Sequence, residues 1–434
     1  MSDDANPEDT SEAKTDGIVG ASSLGRNSTF LLLAEMALAA GRVLTFVLLG
    51  RSLGVEVTGQ YAAILALTQL IFPVSRFGIA HLMVRAVSTG KSFGPAWAKT
   101  ASMATVAGPI GALVVLAIAL VIYELSFVTI LLISTSQLVS LALQHGAVMA
   151  AAALSRAEVG LYVNASNTLL RVVAILIFFF GLSEHTIDSW AWFLFVAGAA
   201  GSVSTIVVVR RFLGAKFRLV SPTRAEFTSG SPFVFVDLAN TAQADIDKVV
   251  LGGYGLDEDA GAYAAATRVL DLANLPLAAV VRASYSEFFR RGSNTIEEAV
   301  KYAKKLTALA VTYGLFAGVG LWILAPSLTF VLGDEFVEAP TALRWLAFVP
   351  AVRASQFFPA NTLTGTDRQW TRARIMSTTA VGNLIANLIF VPAFGWRAAA
   401  VTTIVTELVF SALLWIAVNR ALRNERDGNN SRKG

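Results

Sequence analysis

The stretch Leu53-Gly54-Val55-Glu56-Val57-Thr58-Gly59-Gln60-Tyr61-Ala62-Ala63 returns later in the chain with one residue inserted. The second copy reads Tyr254-Gly255-Leu256-Asp257-Glu258-Asp259-Ala260-Gly261-Ala262-Tyr263-Ala264-Ala265. Tyr61 and Tyr263 stand 202 positions apart in a chain of 434 residues, close to half its length. Each copy lies between two long apolar segments. A repeat at this offset divides the chain into two like halves that enter a membrane in the same sense, the parallel type of duplication.

Working outward, twelve apolar segments lie between Thr29 and Val418: 29–50, 59–83, 101–123, 127–152, 160–182, 189–209, 231–253, 260–284, 306–328, 341–363, 375–395 and 398–418. An apolar run of roughly 20 residues crosses a bilayer as a helix. Label the gaps alternately inside and outside, starting inside. Of the 34 Lys and Arg, 24 then fall inside, 2 outside (Arg51 and Arg397) and 8 within the segments. Cytoplasmic loops carry such an excess because it sets the orientation of insertion. The reading is an all-α polytopic membrane protein with about twelve transmembrane helices and both ends in the cytoplasm.

Composition agrees. The chain is 55% hydrophobic and 15% charged, with mean hydropathy +0.62, against about 25% charge in soluble domains. The net charge of +4 is the sum of basic inner and acidic outer loops, so it is no nucleic-acid signal. There is no cysteine, which removes disulfides, thiolate nucleophiles and sulfur-ligated metals. The polar, acidic start lacks the pattern of a cleaved signal. The expected organisation is a disordered cytoplasmic tail at 1–28, a six-helix lobe at 29–209, a cytoplasmic linker at 210–230, a second six-helix lobe at 231–418 and a basic tail at 419–434.

Pro73 follows Tyr61 by 12 residues and Pro276 follows Tyr263 by 13. Proline removes a backbone hydrogen bond and bends a helix, and broken helices at matching places mark a transporter's binding region. The competing reading is one bent helix inherited twice. No outer loop is long enough to fold alone, which argues against a receptor or an enzyme with an external lobe.

A charge at the bilayer centre costs about 2.5–3.5 kcal/mol on insertion scales, so it faces a cavity or a partner. Arg42, Arg171, Arg268 and Arg353 lie nearest mid-segment; Arg76, Arg282 and Arg344 lie near segment ends and are expected to snorkel. The acids are Glu35, Asp237, Asp245, Asp247, Asp271 and Glu407. Glu35 and Arg42 share a helix face, Arg268 and Asp271 are three apart, and Asp237, Asn240, Thr241, Asp247 and Lys248 share one stripe with Asp245 pointing elsewhere. The four central arginines are read as a cationic cavity for an anionic group, whose oxygens a guanidinium fork matches. Alternatively, each arginine neutralises an acid and locks helices, with Glu407 and Asp237 as main partners. The carboxylates Glu35, Asp237, Asp247, Asp271 and Glu407 either couple to protons or Na⁺ or form salt bridges, Asp247 with its neighbour Lys248.

No cofactor or metal is expected. Gly17–Gly25 follows no strand and lacks the lysine of a phosphate loop. His81, His145 and His185 have no ligand spacing; His145 is placed at the cavity and His185 in solvent. No Ser/His/Asp arrangement stands out.

With these residues laid out, the chain resembles the polysaccharide-exporting branch of the multidrug/oligosaccharidyl-lipid/polysaccharide (MOP) superfamily, the O-antigen and exopolysaccharide lipid flippases. The resemblance rests on Gly50-Arg51-Ser52-Leu53-Gly54 with Gly59-Gln60-Tyr61; Gly78-Ile79-Ala80 to Val84-Arg85; and Asp247-Lys248-Val249-Val250-Leu251-Gly252 with Gly261-Ala262-Tyr263-Ala264-Ala265. It extends to Leu332-Gly333-Asp334-Glu335-Phe336, Leu343-Arg344-Trp345 and Gly395-Trp396-Arg397-Ala398-Ala399-Ala400. It covers nearly everything from Arg26 to Leu422. Val281-Arg282-Ala283-Ser284 departs from a commonly proline-bearing stretch, and the extra helices of some relatives are absent.

The resemblance implies a V-shaped pair of six-helix bundles in a bacterial inner membrane, alternating access around a central cavity. The implied cargo is a polyprenyl-pyrophosphate-linked oligosaccharide flipped to the outer leaflet. The drive is a proton or Na⁺ gradient, and polysaccharide polymerase machinery is a partner downstream. A multidrug exporter, a peptidoglycan-precursor flippase and a membrane polymerase are the alternatives. Drug exporters favour acids in the cavity, the precursor flippase often carries two more helices, and polymerases need a large outer loop.

Overall fold

The computed structural model describes the backbone of Glu12–Asn430 and the side chains of residues 37–427 except Ser286. Glu35 and the extreme ends of both expected tails lie outside these described residues. The described chain is all-helical, as expected.

Helix α1 (Glu12–Arg76) is two arms broken at Gly54, whose φ of 76° and ψ of 177° suit glycine alone. It starts inside the segment expected as a disordered tail. No proline falls between Pro7 and Gly54, so none interrupts the first arm. The second arm and α2 (Ile79–Ser88) form one crossing, separated by a break at Phe77 and Gly78, both at positive φ. Then come α3 (Phe93–Ser102) and α4 (Gly108–Ile122), joined by a π-helical turn at Met103–Ala107. Next are α5 (Phe127–Ala153), α6 (Ala157–Gly181) and α7 (Ile187–Leu213).

The second half opens with α8 (Arg224–Gly253), set by a capping box between Thr223 and Glu226. Helices α9 (Asp257–Ala273) and α10 (Leu275–Gly292) make one crossing bent by 46°. After α11 (Ile296–Leu324), a short α12 (Ser327–Leu332) and a 3-10 turn lie along one face. Helices α13 (Ala339–Leu346) and α14 (Val349–Gly365) return, and α15 (Gln369–Phe394) and α16 (Trp396–Asn430) complete the chain. Counted by crossings, the described residues make twelve passes.

Eight segments are long and apolar enough to span a bilayer, and the bent α9–α10 pair is a ninth. The shortfall from twelve has local causes. The stretch Ala37–Arg76 is two passes divided at Gly54, α8 carries Asp237, Asp245, Asp247 and Lys248, and α13–α14 is split near Ala347. Large apolar side chains cover the outside, among them Phe180, Val196, Phe316 and Ile389. This is what lipid requires of a surface. The first bundle closes around Leu49, Ile64, Ile130, Phe178 and Trp190. The second closes around Leu251, Tyr263, Phe336, Leu346 and Trp396.

Both ends of the described chain lie on one face, with Arg210, Arg211, Arg290 and Arg291: the basic face. The acidic face carries Asp257–Asp259, Asp334 and Glu335. There the two copies of the repeat cross. A Cβ on Gly59 would lie 1.8 Å from the Asp257 carbonyl oxygen, and one on Gly261 would lie 2.2 Å from that of Val55. Each glycine therefore rests on the other copy's backbone. Around the crossing, Gln60 Nε2 donates to Asp257 (3.0 Å) and the Val55 amide to Glu335 (3.2 Å). Arg51 donates to the carbonyls of Phe330 and Val331, both at 2.7 Å.

A cationic cavity between the bundles

Beneath this seal lies a cavity of about 390 Å³ lined by both bundles. The α1 arms supply Arg42, Thr45, Tyr61 and Gln69; α5 and α6 supply Gln137 and Arg171; α8 and α9 supply Asp245, Lys248, Arg268 and Asp271. Among the described residues four cations face two carboxylates, a surplus of two positive charges.

The partners differ. Lys248 pairs with Asp245 three residues back on the same helix. Arg268 and Asp271 reach only 4.0 Å, with side chains 52% and 61% exposed, so that pair contributes little. Arg171 donates to the Gln137 side chain at 3.0 Å, a neutral partner. Among the described residues, Arg42 donates to Leu38 O of its own helix at 3.4 Å. Arg42, Arg171 and Arg268 thus line the cavity without a close carboxylate among the described residues, an arrangement that receives phosphate oxygens.

Arg353 sits apart. A chamber of about 160 Å³ within the second bundle is lined by Asp247, Tyr263, Thr267, Arg353 and Thr403, and shares Asp245, Lys248, Arg268 and Asp271 with the main cavity. Arg353 Nε donates to Glu407 at 2.7 Å, and Gln356 donates to the other carboxylate oxygen. Here the expected locking role of an arginine describes the geometry.

Asp247 is also inside this bundle. Its carboxylate meets no cation: Tyr263 and Thr403 hydroxyls donate to Oδ2, each at 2.7 Å, and Asn387 donates to Oδ1 at 2.9 Å. The expected pair with Lys248 does not form, because residues 245 and 248 share a helix face while 247 turns away from both. The stripe expected on α8 is split accordingly.

Asp237 pairs with Arg76 at 3.2 Å. Arg76 was expected to reach the headgroups; instead it is buried across the bundle interface. His145 contacts this arginine rather than the cavity, and His185 packs on Phe178 and Phe179 rather than standing in solvent. Pro276 opens α10 just past the 46° bend. Pro73 lies inside the continuous second arm of α1, and the break comes four residues on, at Phe77–Gly78. Sequence reasoning missed Gln137, Tyr263, Thr403 and the Asn383/Asn387 pair. Two amides four apart in an apolar segment were the available signal. Among the described residues no group of three or more His, Cys, Asp or Glu is placed to hold a metal ion.

Two helical bundles around a charged cavity form a fold that solved membrane transporters share. An inward-facing multidrug resistance MATE family transporter of the MOP superfamily matches with TM-score 0.70 at 12% identity, over 90% of this chain and 96% of that one. An outward-facing one matches with TM-score 0.62 at 13% identity, over 92% and 96%. A MOP superfamily transporter from Pyrococcus furiosus, described as having a binding pocket of reverse polarity that suggests a different function, matches with TM-score 0.59 at 12% identity, over 91% and 96%. No curated protein sequence matches. Residues 24–286 match the polysaccharide biosynthesis protein family, and the chain belongs to it.

Proposed function

We propose that this protein carries a polyprenyl-pyrophosphate-linked oligosaccharide across the bilayer, from the leaflet at its basic face to the leaflet at its acidic face. The observation that carries the reading is the positive surplus of the inter-bundle cavity among the described residues, where Arg171 has a neutral partner and Arg268 only a distant one. A pyrophosphate supplies the missing anions, the sugars occupy the hydrated space, and the prenyl chain stays in lipid. The lobes, 29–209 and 231–418 joined by 210–230, would rock about their shared interface. By the excess of Lys and Arg, the basic face is cytoplasmic; the membrane would be the bacterial inner membrane.

The drive would be a proton or Na⁺ gradient acting at Asp247, a buried carboxylate ringed by hydroxyls and amides with room for a small cation. If Asp247→Asn still required the gradient, the coupling ion would bind elsewhere. A cationic drug is a poorer cargo for this cavity, since it would meet the surplus of its own sign.

The test is mass spectrometry of polyprenyl-linked intermediates in cells depleted of the protein, with surface and secreted polysaccharide assayed together. Accumulation of one completed lipid-linked oligosaccharide, with loss of its polymer, is the expected result and names the sugar. Unchanged intermediates and polymer, in a strain without a redundant flippase, would overturn the reading.

A further inference from the structure

A second polar cluster lies at the bundle interface towards the basic face, outside the cavity. Arg76 of α1 is at its centre, its side chain 10% exposed. Its Nη1 lies 2.7 Å from His145 Nδ1 of α5, and its Nη2 donates to Asp237 of α8 at 3.2 Å. The guanidinium packs over Phe72, 4.1 Å from the ring centroid. Its Nε finds no partner. Next to it, His81 of α2 stacks on Phe233 of α8, with centroids 4.7 Å apart and planes 8° from parallel. Asp237 and Phe233 of this cluster belong to the second bundle, and among the described residues the Asp237 carboxylate is held through Arg76 alone.

The chemistry of the short contact is fixed by its donor. A guanidinium has only N–H groups to offer. His145 Nδ1 therefore accepts, its ring proton sits on Nε2, and the imidazole is neutral. A proton arriving at Nδ1 removes the acceptor and sets two cations 2.7 Å apart in a poorly hydrated place, where their repulsion is large. The cluster's charge changes from balanced to a net positive one. Arg76 then leaves, and with it goes the tie to Asp237.

The other charged groups around His145 do not offset this. The π-helical turn and α4 contain none. On α3 the one cation, Lys99, is engaged by Glu226 of α8 at 2.6 Å. On α6, Arg171 is turned to Gln137 and Glu158 to Arg156. The charges of α7 (Asp188, Arg210, Arg211) lie at its ends, and on α2 Arg85 is exposed beyond His81. His81 has the opposite sign of effect: a proton there strengthens its stack on Phe233 as a cation–π contact.

We propose that His145 Nδ1 is a proton-binding site between the bundles: empty, it holds Arg76 against Asp237 and keeps α1 and α2 joined to α8; occupied, it releases them. The ligand is a proton from the basic-face water, and the site is separate from Asp247. The proposal does not depend on the nature of the cargo.

The cysteine-free chain permits a direct test in nanodiscs. Spin labels on Ser88→Cys and Ser229→Cys, both exposed and on opposite sides of the joint, report the separation of α2 and α8 by pulsed resonance. Between pH 8 and 5.5 the distance distribution should shift to longer values. His145→Gln, which still accepts from Arg76 but takes no proton, should stay at the short distance throughout; His81→Phe should shift like the parent. Absence of a shift in the parent, persistence of it in His145→Gln, or its loss in His81→Phe would each overturn the proposal. Should His145→Gln fail to fold, the three histidines of the parent give separable resonances after selective labelling. A His145 signal titrating with the distance change supports the site, and one flat from pH 8 to 5.5 refutes it.

Discussion

Arg171 and Arg353 are both guanidiniums deep in the membrane, yet their removal has opposite consequences. Glu407 beside Arg353 is 5% exposed. Arg353→Ala leaves that carboxylate buried and unpaired, a loss of about 3–5 kcal/mol. The variant should be poorly expressed and melt early, and an Arg353→Met/Glu407→Leu double variant should recover most of the thermal midpoint. Arg171→Ala strands only a neutral amide, so its thermal midpoint should stay near the parent's. Its flipping of a pyrophosphate-linked lipid in proteoliposomes should fall by roughly tenfold or more, the scale of one charged hydrogen bond of about 1.5–3 kcal/mol. An active Arg171→Ala would remove this arginine from the site. The sequence marked both residues as intramembrane charges. What it did not carry was which acid lies at which depth on a helix 54 positions away, the fact that separates the two roles.

Individual helices were legible where apolar runs were long, and less so where polar function interrupts them, as on α8. The α1–α2 break shows the limit: Pro73 drew attention, while the bend falls at Phe77–Gly78, where backbone conformation rather than a missing hydrogen bond decides. At the repeat crossing, Gly261→Ala would press a methyl onto the Val55 carbonyl. It should lower the thermal midpoint and impair transport, whereas Gly255→Ala, with nothing within 4 Å, should be strained only through its positive φ. Equal loss in both would show that close approach is not the reason for glycine at 261. Nearer the basic face, Glu226 joins α8 to Lys99 of α3. Burial pushes this carboxyl up, and hydrogen bonds from Lys99 and Thr223 more than offset it, so it rests below its ordinary 4.5. A depressed carboxyl stabilises the fold fully above 4.5 and loses that contribution as pH falls through the folded value. Both partners are partly exposed, so the contribution is at most about 1 kcal/mol. Glu226→Gln should show a smaller loss of thermal midpoint than the parent between pH 5 and 3, and should leave any transition between pH 8 and 5.5 untouched.

For the whole molecule, the all-helical membrane architecture was readable, because it depends on composition along the chain. Which face is shut was not, because it depends on how one half is tilted against the other. The acidic-face seal predicts that Thr45→Cys, in the cavity wall, reacts with a membrane-impermeant maleimide from the basic side and not from the acidic side. Labelling from the acidic side alone would reverse the assigned state. The manner of that seal matters for speed. Its centre is bare backbone on bare backbone, Gly59 on Asp257 and Gly261 on Val55, and its bridging side chains, Arg51, Gln60 and Glu335, sit around that patch. Separating it means wetting a small flat patch and releasing a few rim hydrogen bonds, so the contacts at the centre of this face offer little resistance to parting.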